Sequence, residues 1–246
     1  MRIGKFSLCT AVAVLSLVAS LTGANQAHAQ TTTGNDLNLG GNYNVFNWTL
    51  SGIASNEGGG AITPSTLNGV SLPWVYCIDI PDNVGVPADY NNTRVSTDGT
   101  ANFGAGNTWA GTPGITLAGG SATIAGQVAW ILDNYADAAI GSATAQEAVQ
   151  AAIWKQIYGS AFTVQDTGVN TAMGAILTAL GSNTAALSSV LWLSPNGNGH
   201  NGAAGPGLEQ ALVTAAVPEP STLAIASLCG AGFVFYGLRR RKAMGV

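Results

Sequence analysis

Positive charge is scarce in this chain. Only 8 of its 246 residues are Lys or Arg, and six of these lie in the two terminal segments, which leaves Arg94 and Lys155 between them. Residues 30–217 therefore set two basic side chains against eleven acidic ones, a net charge of −9. An acidic, lysine-poor surface argues against nucleic acid and against an anionic membrane as partners.

Histidine and cysteine are also scarce, which limits the chemistry the chain can perform. Of the 2 histidines, His200 is the one between the terminal segments, in a glycine-rich loop. No His/Cys cluster has zinc-ligand spacing, so we expect neither a metal nor a cofactor. A Cys–His protease built on His200 stays conceivable, but its loop offers no group to orient the imidazole.

Acidic side chains in loops give a second metal alternative. Four aspartates could bind calcium outside the cell, but they lack the spacing of an EF-hand or of a calcium-binding repeat. We therefore expect them to be solvated loop residues. They are Asp79, Asp82, Asp89 and Asp98.

The N-terminus has the three parts of a signal peptide. Arg2 and Lys5 are positive, residues 6–21 are apolar, and Ala27-His28-Ala29 is a small-residue cleavage site. This order predicts that residues 1–29 are removed on export. Cys9 would leave with them.

The C-terminus, residues 217–242, also has three parts. Pro218-Glu219-Pro220 breaks helical structure, residues 221–238 are apolar and uncharged, and Arg239, Arg240, Arg241 and Lys242 form a basic cluster. As a helix, the apolar part would span about 27 Å, close to a bilayer core of about 30 Å. The cluster would stay in the cytoplasm and place the preceding domain outside.

This C-terminal arrangement resembles the PEP-CTERM sorting tail of Gram-negative bacteria. The resemblance implies a transient inner-membrane anchor, cleavage near Pro-Glu-Pro by an exosortase-type enzyme, and delivery to the cell surface or the extracellular matrix. An ordinary single-pass anchor is the alternative. Cys229 lies in the apolar segment, so removal of both ends would leave Cys77 without an intramolecular disulfide partner.

The rest of the chain predicts one domain, residues 43–216, after a flexible N-terminal segment over residues 30–42. Alternating side chains over 43–50 predict a strand, and the β-rich apolar run 72–80 predicts another. Residues 52–69 are expected to be a loop, and residues 81–120, rich in Asn, Asp and Gly, are expected to be loops with short strands. Two closing strands are predicted at 189–193 and 210–215, joined by a flexible loop.

Helical spacing replaces alternation in the middle of the domain. Thr144 and Glu147 are spaced as a capping box, which predicts a helix from there to about Tyr158, ended by Gly159. Two flanking helices are predicted from apolar residues at helical spacing. Their members are Ile124, Val128, Ile131 and Tyr135 in the first, and Val169, Met173, Ile176 and Leu180 in the second.

Two short motifs carry the functional signal. Tyr76-Cys77-Ile78 lies on a predicted strand, and Gln150-Ala151-Ala152-Ile153-Trp154 lies on the central predicted helix. Gln150 and Trp154 are four residues apart, so they share a helix face. Periodicity alone favours the interpretation that Gln150 is a buried amide bonded to a neighbouring strand.

Together the two motifs resemble those of the thioester domains of bacterial surface adhesins. The resemblance implies an α+β fold, a β-sandwich or barrel-like sheet with a helical subdomain between the Cys and Gln motifs. It also implies a Cys77–Gln150 thioester, with Tyr76, Ile78, Ile153 and Trp154 as motif or shielding residues. Such a bond would acylate an external amine or hydroxyl once, so the protein would not be an enzyme. The alternative is a non-covalent structural or glycan-binding matrix protein with Cys77 as a free buried thiol.

Overall fold

The computed structural model describes residues 31–80, 84–99, 122–195 and 210–216. Several sequence predictions lie outside these ranges. They concern the signal peptide with Ala27 and Ala29, His200, Asp82, and the sorting tail with Pro218, Glu219, Pro220, Arg239, Arg240 and Arg241. Within the described ranges, none of the helices has both the length and the apolar character that a membrane crossing needs.

The described residues form two antiparallel sheets and three α-helices. In chain order the strands are β1 (Thr31–Leu39), β2 (Val45–Leu50), β3 (Ile53–Gly58), β4 (Ser65–Leu67), β5 (Val70–Leu72), β6 (Val75–Cys77), β7 (Ala88–Ser96), β8 (Phe162–Val164), β9 (Val190–Ser194) and β10 (Leu212–Ala215). The helices are α1 (Ala122–Ala139), α2 (Ala143–Tyr158) and α3 (Thr167–Leu180). Short 3₁₀ turns at Gly159–Ala161 and Leu187–Ser189 precede β8 and β9.

The larger sheet has seven strands in the order β5-β4-β1-β7-β9-β10-β6. Its curvature is barrel-like and nearly closed, so the α+β prediction with a barrel-like sheet is confirmed. The β6 strand, which ends at Cys77, lies at one end of this order and pairs with β10 through Cys77 and Leu212. The two strands are far apart in sequence, so only tertiary folding creates this pairing.

The smaller sheet, β3-β2-β8, covers one side of α2. Its central strand β2 alternates as predicted, and it turns Phe46 and Trp48 inward. Both rings contact Trp154 of α2, with centroid separations of 5.9 and 5.6 Å. Aromatic pairs at these distances add to the stabilisation that burial alone supplies.

The α2 helix is the centre of the domain. It packs against α1, α3 and β8, and every residue from Ala148 to Trp154 is buried. Small alanines make this possible because they let neighbouring elements approach closely. Its end matches the prediction: Gly159 follows Tyr158 with a φ of 56°, a conformation that glycine adopts without a Cβ penalty.

The capping box predicted for the start of α2 was wrong. Ser142, in an extended conformation, accepts a hydrogen bond from the Ala145 N–H and is the N-cap. Thr144 therefore lies inside the first turn and does not form a capping box with Glu147. The flanking predicted helices correspond to α1 and α3, and all four apolar residues predicted for α3 are buried.

The prediction of a flexible segment over residues 30–42 was also wrong. Residues 31–39 form β1, which lies between β4 and β7. Leu37 and Leu39 are fully buried there, and Leu37 pairs with Leu67 and Tyr90. The other side chains of β1 are mostly polar and exposed, so only its two leucines signal a strand. The domain therefore includes β1 and begins before residue 43.

Candidate functional site

The site is built where the end of β6 meets the middle of α2. Cys77 is the last residue of β6, and the following residue, Ile78, is tied by its N–H to the Ala211 carbonyl at 2.9 Å. Gln150 lies in the buried stretch of α2 and is fully shielded from solvent. The fold thus brings together two residues that are 73 positions apart in the chain.

Two reciprocal hydrogen bonds join Cys77 and Gln150. The Cys77 N–H donates to Gln150 Oε1 at 3.0 Å, and Gln150 Nε2 donates to the Cys77 carbonyl at 2.6 Å. Both polar ends of the buried amide are satisfied, as burial requires. The carboxamide is consequently held in one orientation against the backbone of the cysteine.

The Cys77 N–H has a further chemical consequence. Addition of a nucleophile to the Gln150 carbonyl carbon would place negative charge on Oε1. The N–H that already donates to Oε1 is a fixed donor of the kind that stabilises an oxyanion. This donor is supplied by the backbone of β6, so its position is fixed by the fold.

A second glutamine, Gln210, contacts the thiol itself. The Cys77 thiol donates to Gln210 Oε1, with Sγ and Oε1 2.9 Å apart. Gln210 Nε2 donates to the Asp79 carbonyl. A carbonyl can only accept, so this bond fixes which end of the amide faces the thiol. Sequence reasoning missed Gln210, because nothing in its local pattern distinguishes it from other residues of a closing strand.

The thiol of Cys77 is buried, and this burial controls its ionisation. Desolvation raises the pKa of Cys77 far above its usual range, and the negative charge of nearby Asp79 raises it further. Asp79 is itself almost completely buried. The free thiol therefore stays protonated at neutral pH, in agreement with its role as a donor to Gln210.

A cavity of about 190 Å³ opens beside the thiol. Cys77 and Gln210 line it, together with Trp48 and Trp154, and Glu57 and Tyr43 lie on its wall. It is smaller than the roughly 300–1,000 Å³ of sites that enclose drug-sized ligands. The cavity therefore suits a group about the size of a side chain.

Two buried donors on the cavity wall have no acceptor among the described residues. They are the indole N–H groups of Trp48 and Trp154, whose rings are 6% and 1% exposed. A buried donor without an acceptor is unusual and costs free energy. Both indole N–H groups are therefore unsatisfied donors among the described core residues next to the cavity.

The predicted shielding residues fall on two sides of β6. Trp154 lines the cavity next to Cys77 and packs edge-on against Phe162 at 5.7 Å. Tyr76 points the other way, because successive residues of a strand face opposite sides. There it contacts Trp74 at 5.7 Å, and Trp74 Nε1 donates to Asp137 of α1 at 2.7 Å. Tyr76 is thus not part of the cavity wall.

The remaining motif residues and the metal alternatives have simpler placements. Ile78 and Ile153 are fully buried core residues. Asp89 accepts from Asn38, and Asp98 accepts from Ser96 at 2.9 Å. In the parts of the chain that the structure describes, no three His, Cys, Asp or Glu side chains are grouped so that they could hold a metal ion.

Comparison with protein-family models gives two matches. Residues 74–186 match the thioester domain, and residues 216–242 match the PEP-CTERM protein-sorting motif. Comparisons with curated proteins and with solved structures give no match. Both resemblances inferred from the motifs are confirmed. The matches indicate a secreted surface protein with a thioester domain, exported to the surface or exterior of a Gram-negative cell and processed by an exosortase-type enzyme.

Proposed function

We propose that Cys77 and Gln150 form an internal thioester that attaches the protein covalently, and once, to an extracellular amine or hydroxyl. The observation that carries the proposal is the pair of reciprocal hydrogen bonds between the Gln150 carboxamide and the Cys77 backbone. These bonds hold an otherwise inert side-chain amide next to a buried cysteine. The thioester-domain match over both motifs supports the same pairing.

The bond-forming step is an acyl transfer within the domain. Cys77 Sγ adds to the Gln150 carbonyl carbon, Oε1 takes the charge next to the Cys77 N–H, and the C–N bond breaks. The thiol proton leaves with the amide nitrogen, so one ammonia is released. The product stores an acyl group on sulfur, which is a better leaving group than an amide nitrogen.

The attachment step consumes the thioester. An external amine attacks the same carbonyl carbon, the C–S bond breaks, and the amine's proton ends on Cys77 Sγ. The products are a stable amide at Gln150 and a free thiol. Because the acyl group is not regenerated, the protein reacts once and does not turn over, and we therefore class it as a non-enzyme.

A cationic amine-bearing target fits the site better than a neutral hydroxyl. Glu57 is an exposed carboxylate on the cavity wall, and the cavity has the size of a side chain. The net charge of −9 over residues 30–217 attracts cations over a longer range. No histidine among the described residues is available to activate a hydroxyl as general base.

Sorting places this chemistry outside the cell. We propose that residues 221–238 anchor the chain in the inner membrane transiently, until an exosortase-type enzyme cuts near Pro218-Glu219-Pro220. The mature protein from the native host should then lack residues after about 220 and appear in the envelope or in a biofilm matrix. Full-length protein in the inner membrane at steady state, detected with an antibody to the last residues, would contradict this.

The intact mass of purified residues 30–217 tests the thioester directly. The wild-type domain should be one ammonia lighter than its sequence mass, and Cys77→Ala and Gln150→Ala should each have the full mass of their sequences. Gln156→Ala, on the same helix but outside the cavity, should keep the ammonia loss. Wild-type protein at full mass with a titratable Cys77 thiol would refute the proposal.

The same measurement decides a second candidate. The protonated, hydrogen-bonded thiol of Cys77 would also suit a structural or glycan-binding matrix protein in which this cysteine is simply a buried core residue. In that case neither variant would change the mass beyond its substitution. Treatment with methylamine would then label nothing at Gln150 in a peptide map.

A further inference from the structure

Gln210 is held in place independently of the thiol. Its Nε2 donates to the Asp79 carbonyl, and its Oε1 faces Cys77 Sγ on the cavity wall. Gln210 precedes Leu212, the residue of β10 that pairs with Cys77, by two positions, so the pairing of β6 with β10 fixes its backbone beside the thiol. The position of Oε1 therefore does not depend on whether Cys77 carries a hydrogen.

Thioester formation removes the donor that Oε1 uses. The sulfur of a thioester has no hydrogen, so the Cys77–Gln210 hydrogen bond cannot persist once the bond forms. Oε1 is then a buried acceptor that has lost its donor from Cys77 while it still lines the cavity. A buried acceptor in this state gains free energy from any donor that enters.

A primary amine supplies the hydrogen-bond donor that Gln210 Oε1 lacks in the thioester state. It has two N–H groups and one lone pair, so it can donate to Oε1 while it directs the lone pair elsewhere. The sulfur next to Oε1 is bonded to the Gln150 carbonyl carbon in the thioester. An amine that donates to Oε1 is therefore placed beside the carbon it must attack.

We propose that Gln210 is the positioning residue for the incoming nucleophile, accepting an N–H of the amine while the thioester is intact and the S–H of Cys77 after it has reacted. This role rests on the proposed thioester. The amine nitrogen forms the bond to the Gln150 carbonyl carbon, the C–S bond breaks, and the amine's proton ends on Sγ. The new S–H then donates to Oε1, as the structure records for the free thiol.

Gln210 acts here by orientation and not as a base. A carboxamide is neutral and does not take up the proton, so its contribution is limited to that of one hydrogen bond. Removing the acceptor should slow nucleophiles that donate a hydrogen to it. It should not slow a nucleophile that has no hydrogen to donate.

The test is Gln210→Met, which keeps the length of the side chain and removes the amide. The intact mass of the purified domain first gives its thioester content. The domain is then reacted with methylamine and, separately, with ethanethiolate, and release of the Cys77 thiol is followed in each reaction. We expect normal thioester content, a methylamine rate about tenfold lower, and an ethanethiolate rate unchanged within about twofold. Gln156→Met, a half-buried glutamine of α2 outside the cavity, should match wild type with both reagents.

Three results would overturn the role. In the first, Gln210→Met reacts with methylamine at the wild-type rate. In the second, its rates with methylamine and with ethanethiolate fall together, as expected for a loosened structure. In the third, the variant does not form the thioester, which would give Gln210 a role in bond formation instead. If Gln210→Met does not fold, Gln210→Asn is used instead. It shortens the side chain by one methylene and so moves the amide away from the thiol, and its rates with the two reagents are compared in the same way. A wild-type domain at full sequence mass would instead defeat the thioester itself.

Discussion

Replacing Trp154 by alanine should convert a protected thioester into one that water destroys. Trp154 is 1% exposed, lines the cavity beside Cys77, and contacts Phe46, Trp48 and Phe162. Its removal would join the space of an indole ring to the cavity and admit water next to the sulfur. The rate of thioester hydrolysis should therefore rise relative to the rate of capture by methylamine.

The same substitution costs stability, and its magnitude follows from the packing. A buried tryptophan truncated to alanine costs about 3–5 kcal/mol. For a domain of this size each kcal/mol lowers Tm by about 2–4 °C, so a decrease of about 6–20 °C is expected. Differential scanning fluorimetry measures this decrease before any kinetics are compared.

A matched control separates the loss of shielding from the loss of stability. Trp192 of β9 is fully buried, does not line the cavity, and donates from its indole to the Leu187 carbonyl at 3.0 Å. Trp192→Ala should lower Tm comparably and leave the ratio of hydrolysis to capture unchanged. Trp154 does not shield the thioester if the two variants shift that ratio equally, or if Trp154→Ala leaves it at the wild-type value in an intact-mass time course.

Three further predictions follow from the site. In Gln150→Ala, which keeps the thiol free, burial and the Asp79 charge raise the pKa of Cys77, so ionisation favours the unfolded chain. The Tm should then fall as the pH rises above the ordinary thiol pKa of about 8.5, and adding Cys77→Ala should remove that slope. Glu57→Gln removes a carboxylate from the cavity wall, so the ratio of the capture rate of 1,5-diaminopentane to that of butylamine should fall by about two- to fivefold. Glu147→Gln, outside the cavity, should leave this ratio unchanged. Gly59→Ala would place a Cβ in steric clash with the Phe46 ring, so it should cost about 1–3 kcal/mol in chemical denaturation, whereas Gly174→Ala, with open space around it, should be neutral or stabilising. Equal stabilities for the two glycine variants would contradict the packing described for Phe46.

The helices were accessible from sequence because their signals are local. Four apolar residues at helical spacing defined α3, and the glycine after Tyr158 ended α2 where the structure ends it. The pairing of Cys77 with Gln150 came from the resemblance of two motifs. Spacing alone allowed a buried amide bonded to a strand, and the two hydrogen bonds to the Cys77 backbone are of that kind.

The strands between residues 52 and 69 were missed although their turns are visible. Ser51-Gly52 joins β2 to β3 and Asn68-Gly69 joins β4 to β5, and all four residues have positive φ. Asn-Gly is the strongest short-range signal for a hairpin, and Ser-Gly also marks a turn. The expectation of a loop gave too much weight to glycine content and too little to the position of each glycine.

Other parts of the fold carried no local signal. The β1 strand forms because β4 and β7 pair with it, and Gln210 lies at the site because the fold brings it into contact with Cys77, 133 positions away. Such features are set by tertiary contacts between short segments. A single sequence does not contain the pairing information that would reveal them.

The aromatic residue before the cysteine has a structural role that the motif alone does not reveal. Strand alternation turns Tyr76 away from the cavity and toward Asp137 of α1, whose charge adds to burial in raising the pKa of Tyr76. Trp74, on the same face, donates to that carboxylate. Together they hold the short β6 strand against the helices. Cys77 ends the same strand, so the contact with α1 also restrains the backbone N–H that donates to Gln150 Oε1, which is the donor that the proposed acyl chemistry would use.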